Sequence, residues 1–278
     1  MISTSRFARS LIGLVLSCAA FAGSALAAGE SAYTVMIVPQ FSETKTHANW
    51  GPLLDFVSKD TGIEFRLTFA TDIPEFERQF EQGKPDIIYC NPYHAVMAKK
   101  AQGYLPVLKD QQNLKGLLIT EETGSIRSVQ DLNGKTILFP SPNAFGSSLY
   151  LRALLKDKEK IDFTAKYVKT HPNVLRGILR GEGSAGGMIA STLNSEDEKL
   201  QDKMKVLYET PLASSHPVAV HPRIPEALRK KFTASLKKAL LSMPKEAAEI
   251  SLSNPQETSY AKDYQVLEKM GLEKYVVR

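Results

Sequence analysis

The sequence predicts an α/β protein made of two successive β/α units. Two observations carry this. From Tyr33 onward short β-rich runs alternate with runs whose apolar residues recur at helical spacing. A second series of the same kind starts near Ser128, with no internal repeat, low-complexity tract or floppy linker before it. Strands alternating with helices in this order give a largely parallel or mixed sheet covered by helices.

The elements follow in order. Tyr33–Val38 reads as a strand ending at Pro39. Trp50, Leu53, Leu54 and Val57 fall at i, i+3, i+4, i+7, an amphipathic helix that stops near Gly62. Glu64–Phe69 alternates as a strand, and Ile73, Phe76 and Phe80 mark a helix closed by Gly83. A strand at Asp86–Tyr89 runs through the turn Asn91-Pro92 into a helix at Tyr93–Gln102, and strands near Leu105–Leu108 and Gly116–Thr120 complete the first unit. The second unit opens with Lys135–Phe139, continues through a helix at Phe145–Lys156 and a strand at Ala165–Thr170, and enters a helix at Asn173–Arg180. Gly181–Gly187 reads as a turn before a short strand at Met188-Ile189; Met204–Tyr208 and Val218–Val220 are further strands. Leu228, Phe232, Leu236 and Leu240 mark one closing helix, and Tyr264, Leu267 and Met270 a second.

The ends and the composition bound the function. Residues 1–27 read as a signal peptide: Arg6 and Arg9, an apolar stretch from Leu11 to Phe21, then Ala25-Leu26-Ala27 as cleavage site. A lipoprotein site at Val15-Leu16-Ser17-Cys18 is the competing reading. An exported, periplasmic protein is expected. Losing two arginines and no acid lowers the formal charge from +5 to +3, a mild excess that favours small anions and does not demand nucleic acid. Cys18 leaves with the leader, so Cys90 has no partner and a disulfide framework is excluded. The expected organisation is a first lobe from 28–119 and 211–278 and a second from 120–210, joined by strand-like crossovers near Thr120 and Thr210, a hinge able to close on a ligand. A single continuous α/β domain is the alternative.

Catalytic and cofactor templates are lacking. There is no Gly-x-Ser-x-Gly, no phosphate loop, no His-Glu-x-x-His and no Cys-x-x-Cys, so neither a cofactor nor a metal is expected. Helix starts remain, each with unpaired N–H groups and partial positive charge, which suit an anion. Four stand out: Ser42–His47, Cys90–His94, Pro142–Ser148 and His171–Val174. Gly146 permits close backbone approach, and Ser147 and Ser148 add hydroxyls; ordinary N-capping explains the same serines. His171, ahead of Pro172, is expected to be extended and either donates to an oxyanion or caps its own turn. Tyr89, Tyr93 and Phe145 are candidate walls or plain core. Cys90 with His94 or His171 is the one pair on offer to a hydrolase.

Three segments together resemble the periplasmic phosphonate/phosphite/phosphate-binding proteins of ABC importers, which have the type II periplasmic-binding-protein fold. They are Asp86-Ile-Ile-Tyr-Cys-Asn-Pro-Tyr-His-Ala-Val96, Ser128-Val-Gln-Asp-Leu-Asn-Gly-Lys135 with Phe139-Pro-Ser-Pro-Asn143, and Lys169-Thr-His171. The resemblance implies a two-lobed, monomeric trap that is not an enzyme and docks on transporter membrane subunits. His171 matches the family histidine that contacts the oxyanion; the contacts expected in this chain are Cys90, Asn91 and Tyr93 from one lobe and Gly146, Ser147, Ser148 and His171 from the other. Members that bind phosphonates carry a Ser-Thr-Ser run where Ala144-Phe145-Gly146 stands, and an acid in the region of Ser184–Met188, where there is none here. An aminophosphonate is therefore disfavoured. A sensing protein of the same fold, handing its closed state to a membrane sensor kinase and taking arsenite on the Cys90 thiolate, is the second expectation.

Overall fold

The computed structural model describes residues 32–277. The expected leader lies outside them. Among the described residues, eleven strands form two mixed sheets. In chain order the first half runs β1 (Tyr33–Ile37), α1 (Glu43–Thr61), β2 (Phe65–Thr68), α2 (Ile73–Glu81), β3 (Ile87–Tyr89), α3 (Pro92–Gln102) and β4 (Leu105–Asp110). The middle of the chain adds β5 (Gly116–Glu121), β6 (Thr136–Phe139), α4 (Tyr150–Asp157), β7 (Thr164–Tyr167), α5 (His171–Leu179), β8 (Ala185–Ile189), α6 (Ala190–Asn194), α7 (Glu198–Gln201) and β9 (Met204–Glu209). The last part returns with β10 (Pro217–Val220), α8 (Glu226–Ser242), α9 (Pro244–Glu249), β11 (Pro255–Glu257) and α10 (Tyr260–Asp263).

The first sheet has the order β11-β4-β10-β3-β1-β2 and the second β7-β6-β8-β5-β9. In the first, β1 pairs in parallel with β2 and β3 (Val35 opposite Ile87), while β10 runs antiparallel between β3 and β4. In the second, β6 pairs in parallel with β7 and β8, and β5 antiparallel with β8 and β9. Because β5 already belongs to the second sheet, the chain crosses at 111–115, ahead of the expected Thr120. It returns at 210–216. The two crossings are held side by side by Leu114 N–H to Ala213 O at 2.8 Å and Ala213 N–H to Leu114 O at 3.0 Å.

The period-2 rule places the cores. On β6, Ile137 and Phe139 face one apolar cluster with Leu151 and Leu155, while Leu138 faces another with Val174, Ile178 and Met188. The first sheet is buried against Trp50, Leu53 and Val57 of α1, Phe76 and Phe80 of α2, and Leu236 of α8.

Three local readings need correction. Gly186 and Gly187 are not in a turn but in β8. A Cβ at Gly187 would lie 1.8 Å from Ser147 O, and one at Gly116 of β5 would lie 2.1 Å from Gly146 O. Bare backbone at both strands is what lets the segment Phe145–Leu149, a π-helical turn leading into α4, press directly on the sheet. His171 is the first residue of α5 rather than extended; the Thr170 hydroxyl caps the helix by accepting from Asn173 N–H at 3.3 Å, which offsets the pre-proline bias. The second closing helix is not α-helical at the residues that marked it: α10 ends at Asp263, and Leu267 and Met270 lie in a 3-10 segment at Gln265–Met270, followed after Gly271 by another at Leu272–Tyr275.

Candidate functional site: a cavity without carboxylates between the two sheets

Ligands in open α/β sheets sit beyond the carboxyl ends of the parallel strands. Here those ends of the two sheets meet. Chain leaving β1 (Val38 to Gln40), β3 (Asn91), β6 (Pro140, Ala144 to Ser147) and β7 (Lys169 to His171), together with Ile189 ending β8 and His216 just before β10, lines one inner cavity. The space open to the centre of a water-sized group is about 30 Å³. A single water needs roughly 10–15 Å³ on that measure, so the cavity takes a group of a few heavy atoms. It continues past Pro39, Gln40, Lys169 and His171 into a wider outer cleft of about 1060 Å³.

The lining is electrostatically one-sided. It contains Lys169, two histidines and no carboxylate. Two helix starts from the second sheet open on it. In the turn before α4, the N–H groups of Ser148 and Leu149 both return to Ala144 O, at 2.9 and 3.0 Å; those ahead of them are the start-of-helix donors that lack an intrahelical acceptor. At α5, Thr170 and His171 present the other start. Lys169 has φ of 76°, a left-handed conformation costing a non-glycine residue about 1–2 kcal/mol. Such strain is retained where surrounding structure imposes it; here it delivers a cation and a helix start to one place.

From the first sheet comes Asn91. Its Oδ1 accepts from His94 N–H at 2.8 Å, capping α3, and its Nδ2 donates to Asn143 O at 3.0 Å across the two halves. Behind it lies a buried polar network: His94 Nε2 is 2.9 Å from Glu77 Oε1, and Asn143 Nδ2 donates to Glu77 Oε2 at 3.0 Å and to Val277 O at 2.8 Å. Glu77 does not line the cavity, and its carboxylate is occupied by His94 and Asn143.

Both cavity histidines are neutral near pH 7. Burial pushes the His171 pKa down to about 4, and its Nδ1 is buried with no partner. Burial, then repulsion from His94 and His171, pushes His216 down to about 3. His216 Nε2 is 3.2 Å from the Gln40 side-chain nitrogen, and its ring packs against Tyr89 at 5.7 Å.

Of the residues singled out from the sequence, Asn91, Phe145, Gly146, Ser147 and His171 line the cavity. The others do not. The Ser148 hydroxyl accepts from Arg152 Nε at 3.2 Å. Tyr93 faces a separate groove with Lys100 and Glu273. Tyr89 lines neighbouring spaces, and its hydroxyl donates to Ile250 O at 2.8 Å. Cys90 is wholly buried in the core and lines neither the inner cavity nor the outer cleft; burial raises its thiol pKa strongly, so it offers neither a soft thiolate nor a nucleophile. Sequence reasoning missed Gln40, Lys169 and His216. Lys169 stood inside a quoted segment, whereas His216, from the returning crossover, gave no local signal.

Fold and cavity define a class: a two-sheet α/β protein with an inner cavity between the sheets, the architecture of solute-binding proteins. The model of the family described as ABC transporter, phosphonate, periplasmic substrate-binding protein matches residues 35–277. The chain belongs to that family, whose members are transport binding proteins and not enzymes. A phosphate-import protein of Mycolicibacterium smegmatis is 20% identical over 220 residues, 71% of this chain and 68% of that protein. A binding-protein component of an ABC phosphonate transporter from Pseudomonas aeruginosa superposes with a TM-score of 0.72 at 18% identity, covering 88% of this chain and 86% of that one. A Prochlorococcus marinus protein in complex with methylphosphonate gives 0.74 at 12% identity, covering 88% and 99%. The fold is the type II periplasmic-binding-protein fold.

Proposed function

We propose that this protein captures a small oxyanion of the phosphate, phosphite or phosphonate type in the inner cavity and delivers it to the membrane subunits of an ABC importer. The observation that carries the reading is a lining with two helix starts, an exposed lysine where the inner cavity meets the outer cleft and no carboxylate, contributed by both halves of the chain. An XO₃ head fits the inner space, and any substituent points to the outer cleft. Contacts from both halves favour the state in which they are together, so binding shifts an open–closed equilibrium, with 111–115 and 210–216 as the hinge. Import is preferred to delivery to a sensor kinase because the Mycolicibacterium relative is an import protein and because Cys90, which prompted the arsenite idea, is off the cavity.

A thermal-shift panel of phosphate, phosphite, methylphosphonate, sulfate and arsenite tests this. A ligand at 100 times its dissociation constant stabilises by about 2.7 kcal/mol. The reading stands if one of the first three shifts the midpoint, and falls if none does.

A further inference from the structure

We propose that the inner cavity takes up its oxyanion together with a proton from solvent, and that His171 and His216, lining it from opposite halves of the chain, are the ring nitrogens that receive it. The inference rests on the anion reading above and adds how the guest's charge is matched.

The geometry sets the two rings apart from other histidines. His94 sits 2.9 Å from the Glu77 carboxylate, whereas neither cavity ring has an acid partner. His171 has a buried, unpartnered Nδ1, and the polar contact of His216 is a neutral amide at 3.2 Å. With the cavity empty both rings are uncharged, because burial opposes protonation of each and repulsion from His94 and His171 adds to this at His216. A bound oxyanion offsets these costs by attracting the charged ring. One opposite charge within about 4–6 Å moves a pKa by about 1–3 units, and a dianion by more. That brings a ring of pKa about 4 into the neutral range. Mutual repulsion limits the uptake to one proton for the pair.

The inner cavity otherwise holds a single full positive charge, Lys169, beside helix-start dipoles of roughly half a charge. Other charged groups are already engaged or lie farther out. Glu77 is held by His94 and Asn143. Asp110, in the space beyond His216 with Tyr89 and Lys115, accepts from Gln112 N–H and Asn254 N–H at 2.7 Å each. Lys45, Arg176, Asp72, Glu196 and Asp197 surround the outer cleft, where water screens them. A doubly charged guest is therefore met by one full charge and by partial dipoles, and an imidazolium supplies a second full charge.

The test is imidazole ¹⁵N NMR of the protein at pH 6.5, above the pKa of either empty-cavity ring, with saturating methylphosphonate, phosphate or phosphite, the rings assigned through His171→Asn and His216→Asn. One ring should pass from the neutral to the imidazolium pattern. Affinity should rise toward tenfold per unit of falling pH, after correction for the ligand's own ionisation. Both rings staying neutral while shifted Gly146 and Ser147 amides report bound methylphosphonate would overturn the inference and leave the anion reading standing. A His216→Asn protein with wild-type affinity and pH slope would remove His216 from the pair. If none of the three anions binds, the anion reading falls and this inference with it.

Discussion

Placing one negative charge on the cavity wall is the sharpest perturbation available. Ile189 ends β8, is partly buried, and its Cγ2 would be 3.1 Å from a Cβ on Gly146. It therefore touches the helix-start turn that the proposal makes an anion site. Ile189→Glu introduces a carboxylate at this point, and Ile189→Gln is the neutral control of equal size. Two unit charges about 5 Å apart at an effective dielectric of about 20 repel by about 3 kcal/mol, roughly a hundredfold in dissociation constant. Calorimetric titration at pH 8 with phosphate and methylphosphonate gives the comparison, since the new acid is ionised there. Glu should bind at least tens of times more weakly than Gln, and the gap should persist in 150 mM salt because the site is screened little. A ligand carrying an ammonium group should show the opposite sign. Equal affinities for the Glu and Gln proteins would mean that the anion does not sit beside β8, and the cavity assignment would fail.

Further outcomes follow from particular residues. Gly187→Ala puts a Cβ 1.8 Å from Ser147 O; the turn must move, costing about 1–3 kcal/mol in urea unfolding and weakening oxyanion binding in the same protein. Cys90→Ala leaves oxyanion affinity unchanged and lowers stability by about 1 kcal/mol, as expected of a small buried apolar group; protection of the wild type by arsenite would contradict this. For unliganded protein, the two cavity histidines have folded pKa values below the unfolded value of about 6.5. The unfolded chain therefore binds more protons, and the stability they contribute is full above that value. It is lost as pH falls from about 6.5 to 4 and below, by up to about 3 kcal/mol for His171. Urea midpoints of His171→Asn should depend less on pH over that window, and an unchanged slope would mean His171 is not buried as neutral imidazole.

Much of the fold was legible because it rests on periodicity and local punctuation. Trp50, Leu53 and Val57 mark the buried face of α1, and Asn91-Pro92 marks the start of α3 where the side chain does cap it. The parts that escaped depend on distant chain. Gly186-Gly187 looked like a turn because the reason for bare backbone, the carbonyl of Ser147, lies about forty residues away. His216 reaches the cavity only because β10 inserts antiparallel between β3 and β4, and its Gln40 partner is 176 residues away in sequence. Cys90 and Tyr93 flank a correctly placed turn, yet strand alternation and helical rotation send one into the core and the other to the far groove. Which residues surround Asn91 was readable; which way each side chain points was not.

Crystals grown with methylphosphonate test the central claim most directly. Tetrahedral density should lie within hydrogen-bond reach of the Ser147 backbone, His171 and Asn91, with the methyl group toward the outer cleft. Density instead in the groove by Tyr93 and Lys100, with the inner cavity holding only water, would contradict the account.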